Sequence, residues 1–309
     1  MLKFGIDTIE QLHSELESPS NLWIRQVSIP LLLEVDRDDL PPAYRERILL
    51  ELADDRGAYK RTYRNRFDIF DRELCDRLVG CEHTGGLKVL DCGVSDAGTA
   101  VDFFRSILDR NFEVDYLATD YDPQVMFAEI FGGRLTVTSS NDPLQLSFWR
   151  FVFSFTKPDS WIKLPLNRLI AEALLRTLVR RTLMRIELGE TQITQVSLFG
   201  GDALSLSKTD NRFKLGQLDI RQDFPSTGYN VIRMMNVLNP KYFTPEEFDQ
   251  IVRNVEFSIE EGGYFAFGSN EDAGTVVNGA ILKRVGARWE QQFVSGSGPI
   301  PLLISKLKL

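Results

Sequence analysis

Apolar residues follow three successive rhythms along the chain. Through residues 1–80 they recur at three- and four-residue spacing, most clearly at Phe67, Phe70, Leu74 and Leu78, which share one face of a helix. The apolar stretch Asn21–Val35 is broken at Pro30. Pro41-Pro42 then opens a helical pattern carried by Leu49, Leu50 and Leu52, with proline suited to the first turn. Gly80 stands where a C-cap is expected. At Leu87 the rhythm changes. LKVLDCG (87–93) is a short apolar run closed by Asp and Gly, Thr99–Leu108 has helical spacing, and VDYLATD (114–120) is a second strand. Strand, helix, strand over so few residues is a βαβ unit and predicts a parallel sheet.

After Pro123 the pattern departs from this scheme. LTVTSSNDPLQLSFWRFVFSF (135–155) alternates about an Asn-Asp-Pro turn and reads as a hairpin. Residues 158–167 read as a loop, and Leu169–Met184 as a basic amphipathic helix. The α/β pattern then resumes. KLGQLDI (214–220) and YNVIRMMNVL (229–238) are strands, and Thr244–Ile259 is a helix with a capping box formed by Thr244 and Glu247. Gly262-Gly263 ends that helix, YFAFGSN (264–270) is a strand, and Gly279–Val285 and Trp289–Ser295 are joined by a turn at Gly286-Ala287. The expected organisation is a helical N-terminal extension (1–66) followed by one α/β domain (67–309), interrupted by a hairpin-plus-helix insertion at 133–200.

Composition narrows the class. With 309 residues, 43% hydrophobic and 26% charged, the chain suits an ordinary globular protein. Its longest run without a charge, 291–305, holds Gln, Ser and Gly and is not a membrane span. The N-terminus is acidic and lacks the apolar core of a signal peptide. Cys75, Cys81 and Cys92 have no metal-like spacing and read as reduced thiols, so a cytoplasmic setting is expected. A net charge of −8 argues against a nucleic-acid binder. The charge is uneven, however: residues 133–187 carry nine Arg/Lys against four Asp/Glu, while the rest carries 27 against 40. This block and the aromatics Trp149, Phe151, Phe153, Phe155 and Trp161 suit a lid over an anionic or amphipathic substrate, or a membrane or partner contact through 149–185. They equally suit a hydrophobic hairpin under a solvated helix.

Three segments carry candidate chemistry. In VLDCGVSDAGTA (89–100) a strand runs into a loop where Gly93 and Gly98 let backbone approach a ligand, and Ser95 and Asp96 supply polar groups and a helix cap. In ATDYDP (118–123) Asp120 ends the second strand, where a carboxylate can take both hydroxyls of a ribose. Asp219 and Ile220 end a third strand, where an acidic group can accept from an adenine amine while Ile220 covers the ring.

In this order, with YNVIRMMNVLN and EEGGYFAFGSN following, the segments resemble the class I, Rossmann-like S-adenosylmethionine-dependent methyltransferases. From ATDYDP onward the cadence is similar to the chemotaxis-receptor glutamate methyltransferases, whose "RNVLIYF" resembles Met235-Asn236-Val237-Leu238 followed by Tyr242-Phe243. The likeness covers residues 67–131 and 213–305. It implies a seven-stranded sheet with helices on both faces and an antiparallel seventh strand, and S-adenosyl-L-methionine as cofactor with S-adenosyl-L-homocysteine as product. It implies that Asp91, Gly93 and Ser95 surround the methionine part, that Asp120 holds the ribose with Tyr121 beside the adenine, that Asp219 and Ile220 frame the adenine, and that Asn236 lies near the transferred methyl. Ser95 and Ala97 stand where the family has glycines, and Met235 replaces the arginine of the receptor enzymes, so a receptor glutamate is not the implied acceptor.

The sequence holds two histidines, His13 and His83, and none beyond. A histidine base in the C-terminal half is therefore excluded, and Tyr242, Glu271 and Asp272 are the candidates if a base is needed. No metal site is expected. The alternatives left open are a non-catalytic binding or scaffolding protein on the same fold and a nicotinamide-dependent oxidoreductase.

Overall fold

In the computed structural model the residues described are 4–17, 25–38, 40–52, 65–79, 86–130, 132–155, 165–239, 242–270, 276–297 and 307. In chain order the elements are α1 (Ile9–Glu17), α2 (Leu32–Arg37), α3 (Pro42–Leu49), α4 (Asp68–Val79), β1 (Leu87–Cys92), α5 (Gly98–Leu108) and β2 (Val114–Asp120). Four strands follow: β3 (Gln124–Ile130), β4 (Gly133–Thr138), β5 (Pro143–Phe148) and β6 (Phe151–Ser154). Next come α6 (Pro165–Leu174), a π turn (Leu175–Val179), α7 (Arg180–Glu187), β7 (Ile193–Ser197), α8 (Gly201–Thr209), β8 (Phe213–Gln217) and β9 (Tyr229–Met235). The chain closes with α9 (Pro245–Ser258), β10 (Ile259–Ser269), β11 (Asn278–Val285) and β12 (Arg288–Ser295).

Two compact units share the chain, one of residues 1–61 and 124–198, the other of 62–123 and 199–309. The expected borders at 66 and 133 therefore shift. The N-terminal segment and the insertion belong to one unit, and the insertion begins as early as β3. The apolar run QVMFAEI carries the reason: its alternate residues serve two different cores.

The second unit contains a seven-stranded sheet in the order β8-β2-β1-β9-β10-β11-β12. The first five strands are parallel, while β11 is antiparallel to β10 and β12 to β11. The expected Rossmann-like α/β sheet is present. Its antiparallel member is the sixth strand in chain order, and the seventh lies at the edge. Strands β1 and β9 carry apolar residues on both faces because both faces are covered. On one side Val89, Tyr116 and Val231 pack with Phe70, Leu74, Phe103, Phe104 and Ala203 of α4, α5 and α8. On the other, Leu90, Ile232, Met234 and Phe265 pack with Phe248, Ile251 and Val255 of α9. The capping box of α9 forms as expected: Thr244 Oγ1 accepts from Glu247 N at 3.3 Å and Glu247 Oε2 from Thr244 N at 2.8 Å. Gly262-Gly263 does not close this helix. The helix ends at Ser258, and the glycines lie in a bulge of β10 between Ile259 and Tyr264, with Gly262 at φ 79.

The first unit contains a five-stranded antiparallel sheet, β6-β5-β4-β3-β7, rather than a single hairpin. Along β3, Val125 and Phe127 face a core shared with Leu12, Ile29, Leu32 and Ile48. Met126, Ala128 and Ile130 face the opposite core, with Val179 and Ile186 from the α6–α7 segment. The Asn-Asp-Pro turn joins β4 to β5 as expected, with Thr138 Oγ1 accepting from Ser140 and Asp142 N–H. Among the described residues no helix is long and apolar enough to cross a membrane.

Candidate functional site

An open sheet of this kind offers a ligand crevice at the carboxyl ends of its parallel strands, where the strand order reverses. Here the chain runs outward from β1 through β2 to β8 and then returns to β9 and β10, so the reversal falls between β1 and β9. At this edge stand the segments 93–98 after β1, 120–122 after β2, 218–221 after β8, 236–239 after β9, and Asn270 after β10.

The β1 loop is a tight, left-handed path. Gly93 takes φ 71, Ser95 φ 57 and Ala97 φ 64. Gly93 N and Val94 N both donate to Thr119 O, at 2.7 and 3.0 Å, which ties the loop to the end of β2. Ser95 N donates to Asp120 Oδ2 at 2.7 Å, and Asp122 N to Asp120 Oδ1 at 3.2 Å. Asp120 is buried yet lies at the strand end, so its carboxylate organises both loops. The Ser95 hydroxyl is buried and meets no hydrogen-bond partner among the described residues. Gly98 opens α5 and donates to Asp96 Oδ1 at 2.9 Å, while Ala97 occupies the cap position.

Other expected site residues are committed to the protein itself. A Cβ at Gly93 would collide with the Val237 side chain, so this glycine is demanded by internal packing. Asp91 is sealed in the core, where its Oδ2 accepts from Tyr116 Oη at 2.6 Å and Arg233 Nη1 at 2.8 Å. Arg233 also grips Asp71 through Nε and Nη2, both at 3.0 Å. Ile220 is packed among Phe224, Tyr229 and α9 instead of facing an open crevice. Asp219 accepts from Arg221 Nε at 2.8 Å and Nη2 at 2.9 Å. Arg221 reaches Glu247 Oε1 at 3.1 Å with its remaining arm, and its guanidinium lies 5.4 Å from the centre of the half-exposed Tyr121 ring. Asn236, at φ 60, exchanges two hydrogen bonds with Asn270: Nδ2 donates to Oδ1 at 2.8 Å, and Oδ1 accepts from the Asn270 amide at 2.9 Å. Tyr242 is half-buried in the turn before α9, its N–H on Asn239 O. Glu271, Asp272, Cys81 and His83 lie outside the described residues.

Sequence reasoning missed the Asp71–Arg233–Asp91–Tyr116 network. Its signal was the one charged residue in the run YNVIRMM, since a charge in a strand covered on both faces must have buried partners. Burial, with a single guanidinium for two carboxylates, pushes the Asp71 carboxyl up to about 7 and raises Asp91 as well. Burial also raises the Cys75 thiol to about 12 and leaves Cys92 higher still. Hydrogen bonding to Asp219 raises Arg221. A cavity of about 320 Å³ opens against Phe67, Asp71, Thr99, Asp102 and Arg105, and none of the expected site residues lines it. Among the described residues no group of three or more His, Cys, Asp or Glu is placed to hold a metal ion.

Comparison with known proteins gives no matching family model and no matching curated protein. Solved structures do match. The chain is similar to the C-methyltransferase domain of the citrinin polyketide synthase at 14% identity and a TM-score of 0.36, covering 86% of this chain and 52% of that one. It is similar to a TehB-like S-adenosylmethionine-dependent methyltransferase of Corynebacterium glutamicum at 9% and 0.28, covering 66% and 64%. It is also similar to an O-methyltransferase from a polyketide synthase multienzyme of Brevibacillus brevis, solved with S-adenosyl-L-homocysteine, at 9% and 0.30, covering 78% and 48%. The chain thus spans less than two thirds of each of these structures. With TM-scores this low, the fold stands on the chain's own strand order and the function on its site.

Proposed function

We propose that this chain is an S-adenosylmethionine-dependent methyltransferase. The observation that carries the reading is the β1 loop, which borders the point of strand reversal and is tied to the end of β2, where Ser95 N–H meets Asp120 Oδ2 at 2.7 Å and the Ser95 hydroxyl has no partner among the described residues. An orphaned buried hydroxyl costs about 1–3 kcal/mol, which a ligand's polar group would recover. The residues therefore fit such a group at Ser95 and Asp120, and the motif order VLDCGVSDAGTA, ATDYDP, QLDI supports the class. When bound, the cofactor supplies an electrophilic methyl group on a sulfonium. Ser95 and Asp120 would hold its polar parts and Tyr121 would offer a ring face. No histidine follows residue 83, so the chain's contribution is chiefly binding and alignment of an acceptor that presents its own lone pair.

A second reading, a non-catalytic protein on the same sheet, is favoured by a specific observation. Asp219, Asn236 and Gly93 all have protein partners where the resemblance expects cofactor contacts. Calorimetric titration of S-adenosyl-L-homocysteine and of NADH into the wild type and the Arg221→Ala variant separates the readings. Heat from S-adenosyl-L-homocysteine alone, stronger in the variant that lacks the Arg221 guanidinium beside Asp219 and Tyr121, supports the methyltransferase. Heat from NADH alone makes the chain an oxidoreductase. No heat from either ligand in either protein leaves the non-catalytic reading. A labelled methyl donor offered to fractionated small-molecule extracts then identifies the acceptor.

A further inference from the structure

The α6–α7 segment of the first unit turns one face inward and one outward. Ala171, Val179 and Ile186 are buried. The step from 171 to 179 is eight residues, which a regular helix would rotate about 80° off the inward face. The π turn at Leu175–Val179 takes up this excess and keeps the inward residues aligned on the sheet.

The same realignment gathers the outward residues. Leu166, Leu169, Met184 and, just past the helix, Leu188 are 43%, 63%, 57% and 71% exposed. One exposed leucine is ordinary, whereas four large apolar side chains along one outward helical path are not. Among them stand the exposed Arg176, Arg180 and Arg181, none with a carboxylate within ion-pair distance among the described residues. Arg168 and Arg185 flank them, paired with Glu172 and near Glu190.

We propose that this outward face binds an anionic lipid surface. Charge selects the occupant: three unneutralised arginines are interleaved with apolar side chains on a protein of net charge −8. Twenty-three helical residues extend roughly 35 Å at 1.5 Å each, a path suited to lying along an interface. Leucine and methionine enter the boundary of the acyl chains while the arginines extend to the phosphates. Nothing here depends on the methyltransferase reading, and the test needs no cofactor.

The test is sedimentation of the full chain with vesicles of equimolar phosphatidylglycerol and phosphatidylcholine, and with phosphatidylcholine alone. Binding to the mixed vesicles only, weakening with added salt, is expected. The triple variant Arg176→Gln, Arg180→Gln, Arg181→Gln should bind about 100-fold more weakly. Leu169→Gln with Met184→Gln, which leaves every charge in place, should also reduce binding. All these positions are exposed, and an unchanged thermal melt confirms that each variant folds. Equal binding to both vesicles, binding to neither, or undiminished binding by either variant overturns the proposal. So does capture of polyglutamate with no vesicle binding, which makes the face a dock for acidic protein.

Discussion

Ser95 combines two unfavourable features at one position. Its φ of 57 costs a side-chain-bearing residue about 1–2 kcal/mol, and its buried hydroxyl lacks a partner among the described residues. Such costs persist where a site needs them. Ser95→Gly removes both, so the variant should be more stable by about 1–2 kcal/mol, read as a higher urea midpoint at unchanged slope. The same variant should bind S-adenosyl-L-homocysteine more weakly, because the hydroxyl is the group proposed to meet the ligand. A gain in stability with undiminished binding would show that Ser95 is a loop residue only. The neighbouring Asp120 was legible from the sequence as a carboxylate at a strand end. That its oxygens also accept from the Ser95 and Asp122 amides was not, because backbone direction within a loop is set by contacts, here with Thr119, that spacing does not encode.

At the scale of elements, the parallel strands were legible because a strand covered on both faces writes itself as a continuous apolar run. Val114–Asp120 has the same limits in sequence and structure. The antiparallel sheet of the first unit was only half legible. The 135–155 pattern shows the β4–β5 turn, but β7 is short, half exposed and distant in sequence, so nothing local pairs it with β3. Arg233 marks the opposite failure, a polar residue passed over inside an apolar strand. Its network makes a measurable prediction. Asp71 faces Arg233 with Asp91 and Asp102 nearby, and burial raises it from 3.8 to about 7. The folded state therefore holds this proton where the unfolded chain releases it. The associated stability is complete below pH 3.8 and is lost as pH rises through about 7. Chemical denaturation of the wild type should give a free energy that falls, on the order of a few kcal/mol, between about pH 4 and 7 and levels off above. Asp71→Asn should flatten that slope. An unchanged slope in the variant would show that another group carries it.

At the scale of the molecule, each of the four hydrophobic clusters lies within one unit. The sequence showed an interruption of the α/β pattern but not its partnership with the N-terminal segment, because Leu12, Ile29 and Ile48 meet Val125 and Phe127 only across a long sequence separation. The interruption begins and ends on paired strands. Gln124 lies opposite Ser197 in the β3–β7 ladder, and directly opposed residues in such a ladder are about 5 Å apart. Excising 124–198 and joining Pro123 to Phe199 through a short Gly-Ser linker therefore spans a small gap, and removing 1–61 as well leaves the seven-stranded sheet with both of its cores. The shortened chain should fold, with a cooperative melt and a helical far-ultraviolet spectrum. It should retain S-adenosyl-L-homocysteine binding within about tenfold, since Ser95, Asp120, Tyr121 and Asp219 all belong to the retained unit and a tenfold change is only about 1.4 kcal/mol. It should lose binding to phosphatidylglycerol vesicles entirely. A folded chain that no longer binds S-adenosyl-L-homocysteine would place necessary ligand contacts in the removed unit, and a non-cooperative melt would show that the sheet needs that unit to fold.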